Sequence, residues 1–170
     1  RVVLIDSNKN FIEKANKEGL EAFSVNIYDD DLTDNIELND VGYLLALTGS
    51  DAVNDFALNN FSKVFGEHGS YRLASSKEIK EDVLEVKNKL FTPKDDYINL
   101  SEAFRDNPKI YELEITSNEE YLKMKSKLFN ELKSIPLFVK KGDKLFLIPE
   151  FENSNESKDN CMIVYLGRNI

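Results

Sequence analysis

The 170-residue sequence lacks a second cysteine and a second histidine, since Cys161 and His68 are the only residues of their types. A single cysteine excludes an internal disulfide and is typical of proteins from a reducing compartment such as the cytosol. A zinc site would need several Cys or His ligands, so none is predicted. The two residues also fall in different predicted domains, far from any nucleophile motif, and no Cys–His catalytic pair is expected.

Long apolar runs and an excess of basic residues are missing as well. No apolar stretch approaches the roughly 20 residues that cross a bilayer, and no charged leader precedes the first one, so neither a membrane span nor a signal peptide is predicted. The formal net charge is -9. Because phosphate contacts need clustered Lys and Arg, this charge argues against nucleic-acid binding. The acidic runs 29–31 and 94–96 lack the alternating ligands of a calcium loop, so no metal site is predicted.

Short β-rich runs alternate with amphipathic helical segments in the first half of the chain. A continuous apolar run ends in Asp6 and is typical of a parallel strand that is buried on both faces. A helix follows, which Ser7 or Asn8 can cap and Gly19 ends. Further strands are predicted at 20–25, 41–48 and 70–73, a short polar helix or turn at 29–38, and a helix from Ser50 to Gly66. This order predicts a right-handed parallel α/β sheet.

The pattern changes after residue 74. Ser75 opens a capping box with Glu78, and apolar residues at helical spacing (Ile79, Val83, Val86 and Leu90) predict a long helix that is stopped at 92–93. An extended segment at 110–115, a helix from Ser117 and strands at 137–140, 144–148 and 162–166 predict a separate small α+β domain, with a tight turn at 141–143. The predicted organisation is therefore a parallel-sheet domain at 1–74, a helix and linker at 75–105, and an α+β domain at 106–170.

Asp6 is the most informative single residue, because it stands at the carboxyl end of a predicted parallel strand. In dinucleotide-binding folds a carboxylate at this place accepts hydrogen bonds from the adenosine ribose; the alternative is that Asp6 only caps the next helix. Such a carboxylate follows a glycine-rich phosphate loop by about 20 residues, and no such loop precedes it here. Since a strand-like run follows Arg1 at once, we expect a longer protein whose first β-α unit lies upstream; a degenerate sheet without dinucleotide is the other possibility.

A second polar group stands where the strand at 41–48 meets the following helix. Small and hydroxyl residues at such a junction leave backbone N–H groups free to face a ligand. Helix capping alone accounts for Ser50 and Asp51, and it accounts less well for Thr48 and Asn54. This turn is therefore the second candidate binding segment.

Several motifs carry a resemblance: Val-Leu-Ile-Asp-Ser-Asn at the first strand, Ala15-x-x-x-Gly19, Leu-Leu-Ala-Leu-Thr-Gly-Ser-Asp-x-x-Asn at the second junction, and Phe61-x-x-x-Phe65-Gly66. In their order and spacing they resemble the TrkA-N domain, the nucleotide-binding half of RCK (regulator of potassium conductance) modules. They resemble in particular the branch fused behind the membrane domain of bacterial cation/proton antiporters. Residues 135–145 are similar to the small C-terminal domain of those tails.

The resemblance implies a Rossmann-like parallel sheet that lacks its first β-α unit, followed by a TrkA-C-like α+β domain. It implies that NAD or another adenine nucleotide binds at the strand ends, with the ribose on Asp6. RCK proteins usually carry Gly-Asp after the next strand, with the Asp near the adenine; here Asn26-Ile27 stands there, and Ile27 cannot hydrogen-bond to the base. The implied nucleotide-binding positions are Asp6, Ser7, Asn26, Ile27, Thr48 and Asp51.

The resemblance further implies a regulator rather than an enzyme. The expected protein is a homodimer, held together by the helix after Ser75, on the cytoplasmic face of the cell membrane. An upstream transmembrane domain would transport sodium or potassium, gated by the binding of a nucleotide or an ion. Two alternatives remain open, a fragment of a Rossmann-type NAD-dependent oxidoreductase or epimerase, and a purely structural docking tail. About a dozen hydrophobic spans upstream of Arg1 would support the transporter.

Overall fold

The computed structural model describes residues 1–29, 36–66, 69–81, 88–92 and 95–170. Some sequence predictions lie outside these ranges, namely most of the polar helix expected at 29–38, His68, Val83, Val86 and Pro93.

The first half forms parallel strand pairs with helices, as the alternating pattern predicts. Its elements are β1 (Val3–Asp6), α1 (Lys9–Lys17), β2 (Glu21–Ser24), β3 (Leu44–Ala46), α2 (Asp51–Phe65) and β4 (Ser70–Arg72). Strand β1 pairs in parallel with β2, and β3 pairs in parallel with β4. Asn8 rather than Ser7 is the N-cap of α1, because its side chain accepts a hydrogen bond from the N–H of Asn10. Gly19 follows the helix with a φ of 85°, the left-handed conformation that glycine adopts readily.

Helix α2 holds the two strand pairs together through one hydrophobic cluster. Ala46, Ala57 and Phe61 are buried in this cluster, and Val3 and Ile5 of β1 pack against it. Within the described ranges, however, β1 hydrogen-bonds only to β2 and β3 only to β4. In the described ranges, the first half therefore consists of two strand pairs that pack on the same hydrophobic cluster but are not joined by backbone hydrogen bonds between strands.

The second half is an antiparallel sheet covered by helices. Its elements are α3 (Ser76–Lys80), α4 (Tyr97–Asp106), β5 (Ile110–Ile115), α5 (Asn118–Asn130), β6 (Ile135–Lys141), β7 (Lys144–Leu147), α6 (Ile148–Asn153) and β8 (Cys161–Leu166). The strand order is β5-β8-β6-β7. Gly142 has a φ of 57° in the turn between β6 and β7, so the predicted tight hairpin is confirmed.

The long helix predicted after Ser75 is shorter than expected. The capping box is confirmed, since Ser75 Oγ accepts from the N–H of Glu78 at 3.0 Å and the Glu78 carboxylate accepts from the N–H of Ser75 at 2.8 Å. The helix nevertheless ends at Lys80. The prediction that Leu90 lies on its apolar stripe is wrong, because the N–H of Leu90 donates to the carbonyl of Arg72 at 2.8 Å. Lys89 forms an isolated parallel bridge with Arg72, so Leu90 lies beside the end of β4.

One hydrophobic cluster joins the two halves of the chain. Leu73 and Leu90 are buried there against Ile135, Leu137 and Leu166 of the antiparallel sheet. Helix α4, which the sequence pattern did not predict, packs on the same cluster through Leu100 and Ala103. The strand β4 and the second sheet therefore form one continuous core.

Candidate functional site

Asp6 is the last residue of β1 and is half-buried. Its Oδ1 accepts a hydrogen bond from the N–H of Asn8 at 2.7 Å, which fixes the turn into α1. The capping role considered for Asp6 is thus present. The other carboxylate oxygen, Oδ2, accepts no hydrogen bond from the residues that the structure describes. Asp6 therefore combines a local structural contact with an acceptor that a ligand could use.

The other predicted residues on this side have different surroundings. Ser7 and Asn26 are exposed, and Asn26 Oδ1 accepts from the N–H of Tyr28 at 3.2 Å in the turn after β2. Ile27 packs against the hydrophobic cluster under α2. The apolar side chain at this position thus contributes to the core.

Thr48 and Asn54 lock the turn between β3 and α2. Asn54 is only 2% exposed. Its Oδ1 accepts from the backbone N–H of Thr48 at 3.1 Å and from Thr48 Oγ1 at 2.8 Å, while its Nδ2 donates to the carbonyl of Thr48 at 3.0 Å. Thr48 Oγ1 also accepts from the N–H of Ser50 at 3.2 Å. These contacts explain the two residues that helix capping left unexplained, since each is the partner of the other.

Asp51 and Gly49 complete the same turn. Asp51 is exposed in the first turn of α2. Gly49 lies against the ring of Tyr97, the first residue of α4, so that a Cβ added to Gly49 would be 3.1 Å from Cδ1 of the ring. Tyr97 could not be predicted from the local sequence pattern, because Gly49, which it contacts, is distant in the sequence.

Arg72 is the last residue of β4, and the local sequence pattern does not predict its contacts. Its guanidinium forms two hydrogen bonds to the Glu78 carboxylate, at 2.7 and 3.0 Å, and an ion pair with Asp55 at 3.0 Å. The hydrogen bonds from Arg72 lower the pKa of Glu78 to about 2. The sequence feature that could have indicated this ion pair is an arginine at a strand end shortly before a capping-box glutamate. Because Arg72 is engaged in these pairs, it offers no free charge to a phosphate.

The candidate residues fall in two groups on different strand pairs. Among the described residues, no hydrogen bond or ion pair joins Asp6 or Asn26 to Thr48 or Asp51. Both groups follow parallel strands, however, and in open α/β sheets ligands bind outside the carboxyl ends of such strands.

The sequence profile of the TrkA-N domain matches residues 1–86. The chain belongs to the TrkA-N family. TrkA-N domains are typical of RCK-type modules that regulate potassium transport; they are usually not catalytic, and they bind NAD-like nucleotides. No curated protein matches the chain. The similarity of residues 135–145 to a TrkA-C domain stays a prediction.

The residues of this TrkA-N domain fit part of such a nucleotide. The available Oδ2 of Asp6 fits a ribose hydroxyl, which is a hydrogen-bond donor. The turns after β1 and β3 carry acidic and hydroxyl side chains, which do not neutralise a diphosphate. In the part of the chain that the structure describes, no cluster of His, Cys, Asp or Glu could hold a metal ion, and no helix is long and apolar enough to cross a membrane.

Proposed function

We propose that the chain is the nucleotide-sensing regulatory part of a bacterial cation/proton antiporter that transports sodium or potassium, acting on the cytoplasmic face of the cell membrane. Membership of the TrkA-N family supports a role in regulating cation transport. The observation that carries nucleotide sensing is the state of the Asp6 carboxylate. Its Oδ1 accepts from the Asn8 N–H, whereas its Oδ2 accepts no hydrogen bond from the described residues and is available to a ligand. A ribose hydroxyl is the donor that fits this oxygen.

In this proposal the nucleotide spans both strand pairs. Asp6 holds the ribose, Ser7 and Asn26 flank it, and Thr48 and Asp51 face it from the turn after β3. The three hydrogen bonds between the Asn54 amide and Thr48, which we call the Asn54 clamp, support this role, because they hold the turn in place without a ligand. A preorganised turn lowers the entropy that binding costs.

A further strand between β1 and β3 would complete the sheet. Both strands pack on the cluster under α2, yet each has a ladder partner on one side only within the described ranges. We propose that a β-α unit upstream of Arg1 supplies this strand. The turn that follows such a strand in dinucleotide-binding folds is glycine-rich and presents backbone N–H groups to the pyrophosphate. This turn would provide the phosphate contacts that the ion-paired Arg72 does not offer.

Regulation requires that the ligand bind two arrangements of the protein with different affinity. We propose a homodimer whose subunits change their arrangement when the nucleotide or an ion binds, and a transmembrane transport domain upstream that responds to this change. The continuous core between β4 and the antiparallel sheet supports such coupling, because a displacement of the strand end would move the second sheet with it.

Calorimetric titration of ATP and NAD tests the proposal, on protein that includes the proposed upstream β-α unit. Asp6→Asn keeps an acceptor for the Asn8 N–H but removes the charge, and Asp6→Ala removes both. A charged hydrogen bond contributes about 1.5 to 3 kcal/mol, so Asp6→Ala should weaken binding by about 10- to 150-fold. Asp143→Asn, at an exposed position in the β6–β7 turn, is the control. Equal affinity in the Asp6 variants would refute the site, and a wild type that binds neither nucleotide would favour the docking tail.

A further inference from the structure

Tyr97, the first residue of α4, lies against the turn that follows β3, although the two are distant in the sequence. A Cβ built on Gly49 would be 3.1 Å from Cδ1, 3.3 Å from Cε1 and 3.4 Å from Cγ of the Tyr97 ring. These distances are shorter than most contacts that a real Cβ makes. The ring therefore approaches the backbone as closely as it does because residue 49 has no side chain.

Contacts of the neighbouring residues in α4 and at its N-cap fix the position of Tyr97. The preceding residue, Asp96, is 8% exposed; it accepts from the N–H of Asn99 at 2.8 Å and from Ser76 Oγ at 2.6 Å. Leu100, in the next turn of α4, packs on the cluster shared with the second sheet. Both anchors hold the start of α4 against the strand ends.

The ring packs on the turn at Gly49, and Tyr97 as a whole remains 48% exposed. An aromatic side chain with few rotatable bonds, held in place and partly exposed beside the end of a strand, loses little entropy when a flat ligand packs on it. Packing against the protein accounts for the covered part of the ring. It does not account for the exposed part.

We propose that Tyr97 is a wall of the nucleotide crevice, on which the planar base of the nucleotide stacks. The proposal rests on the proposed function, because it concerns the same ligand. It also answers a question that the sequence raises at Ile27, where an apolar side chain cannot hydrogen-bond to adenine. Stacking needs only the flat face of the base and tolerates any base. In this proposal the base is recognised by the aromatic ring beside β3, and a hydrogen bond from residue 27 after β2 is not needed.

Four variants separate stacking from simple packing on Gly49, measured by calorimetric titration of ATP and NAD on the same protein as above. Tyr97→Phe keeps the ring, whereas Tyr97→Leu keeps an apolar cover for Gly49 and removes the aromatic face. Phe104→Leu likewise replaces an aromatic ring by leucine, at a 61% exposed residue of the same helix. Gly49→Ala places a methyl group where the ring now lies. Thermal melting shows in parallel that each variant is folded.

Stacking on an aromatic residue predicts a loss of about 5- to 150-fold in affinity when the aromatic face is removed. Tyr97→Leu should show this loss, Gly49→Ala a smaller one, and Tyr97→Phe and Phe104→Leu should bind like the wild type. If Tyr97→Leu binds ATP and NAD with unchanged affinity while Asp6→Ala is impaired, the stacking proposal is wrong and the proposed function stands. If the folded wild type binds neither nucleotide, both are wrong.

Discussion

Replacing Asn54 by Ala removes the clamp that holds the turn after β3. Asn54 is buried, and its amide makes three hydrogen bonds to Thr48, two of them to the backbone. A hydrogen bond contributes about 0.5 to 1.5 kcal/mol net, so the three together set an upper limit of about 4.5 kcal/mol. Because Thr48 itself is exposed, water can replace part of what is lost. We therefore expect the free energy of unfolding to fall by about 2 kcal/mol.

Asn60 provides a matched control for this substitution. It lies on the same helix, is exposed, and donates one hydrogen bond from Nδ2 to the carbonyl of Phe56 at 2.9 Å. Asn60→Ala gains the same helix propensity as Asn54→Ala, so the difference between the two variants isolates the clamp. Asn60→Ala should change the free energy of unfolding by no more than about 0.5 kcal/mol.

Urea unfolding followed by far-UV circular dichroism measures both variants, since the chain contains no tryptophan for fluorescence. For a chain of this size, about 2 kcal/mol corresponds to a decrease in Tm of roughly 4 to 8 °C. The midpoint of Asn54→Ala should fall well below that of Asn60→Ala, with a similar urea slope. Equal midpoints for the two variants would show that the clamp does not stabilise the turn.

Two further predictions concern the pH dependence of stability. The folded-state pKa of Glu78 lies at about 2, below its ordinary 4.5, mainly because Arg72 hydrogen-bonds to it; its contribution is therefore present above about pH 4.5 and is lost as the pH falls through about 2. In Arg72→Met the urea midpoint should depend less on pH over this window than in the wild type. Parallel pH profiles for the two proteins would show that Arg72 is not the cause of the lowered pKa of Glu78. Burial raises the pKa of Asp95 from 3.8 to about 6, so its contribution is present below pH 3.8 and is lost as the pH rises through about 6. Asp95→Asn should then raise the free energy of unfolding at pH 7 by about 1 to 3 kcal/mol. Unchanged or lower stability would contradict a buried Asp95 carboxyl with a raised pKa.

Features that depend on neighbouring residues could be predicted from the sequence. Asn8 caps α1, Ser75 and Glu78 form their capping box, and Gly142 makes the hairpin turn. Each follows from hydrogen bonds or backbone angles within a few residues, and these are the interactions that a sequence motif encodes. The parallel first half and the family were also predictable, since both follow from the order and spacing of such local features.

Features that depend on distant contacts could not be predicted. Leu90 has helical spacing from Ile79, but its backbone N–H donates to the carbonyl of Arg72, which places it beside β4. Tyr97 and Gly49 meet only because α4 folds back onto the strand ends. For Asp6 the residues left two roles open; the contact with Asn8 is present, and the ribose contact stays a prediction.

The two strand pairs differ in what anchors them, and this bears on how a ligand could act. The pair β3–β4 is continuous with the antiparallel sheet through Leu73, whereas β1–β2 contacts the rest through the cluster under α2. On the proposed function, Asp6 of the first pair holds the ribose, and Tyr97 of α4 holds the base beside the turn that follows the second pair's β3. The ligand would then bridge two strand pairs that no ladder joins in the described ranges. If the two contacts act on separate parts of the nucleotide, the losses in binding free energy for Asp6→Ala and Tyr97→Leu should add in the double variant. A double variant no weaker than Asp6→Ala alone would mean that the base is placed only through the ribose, and the bridge would then be absent.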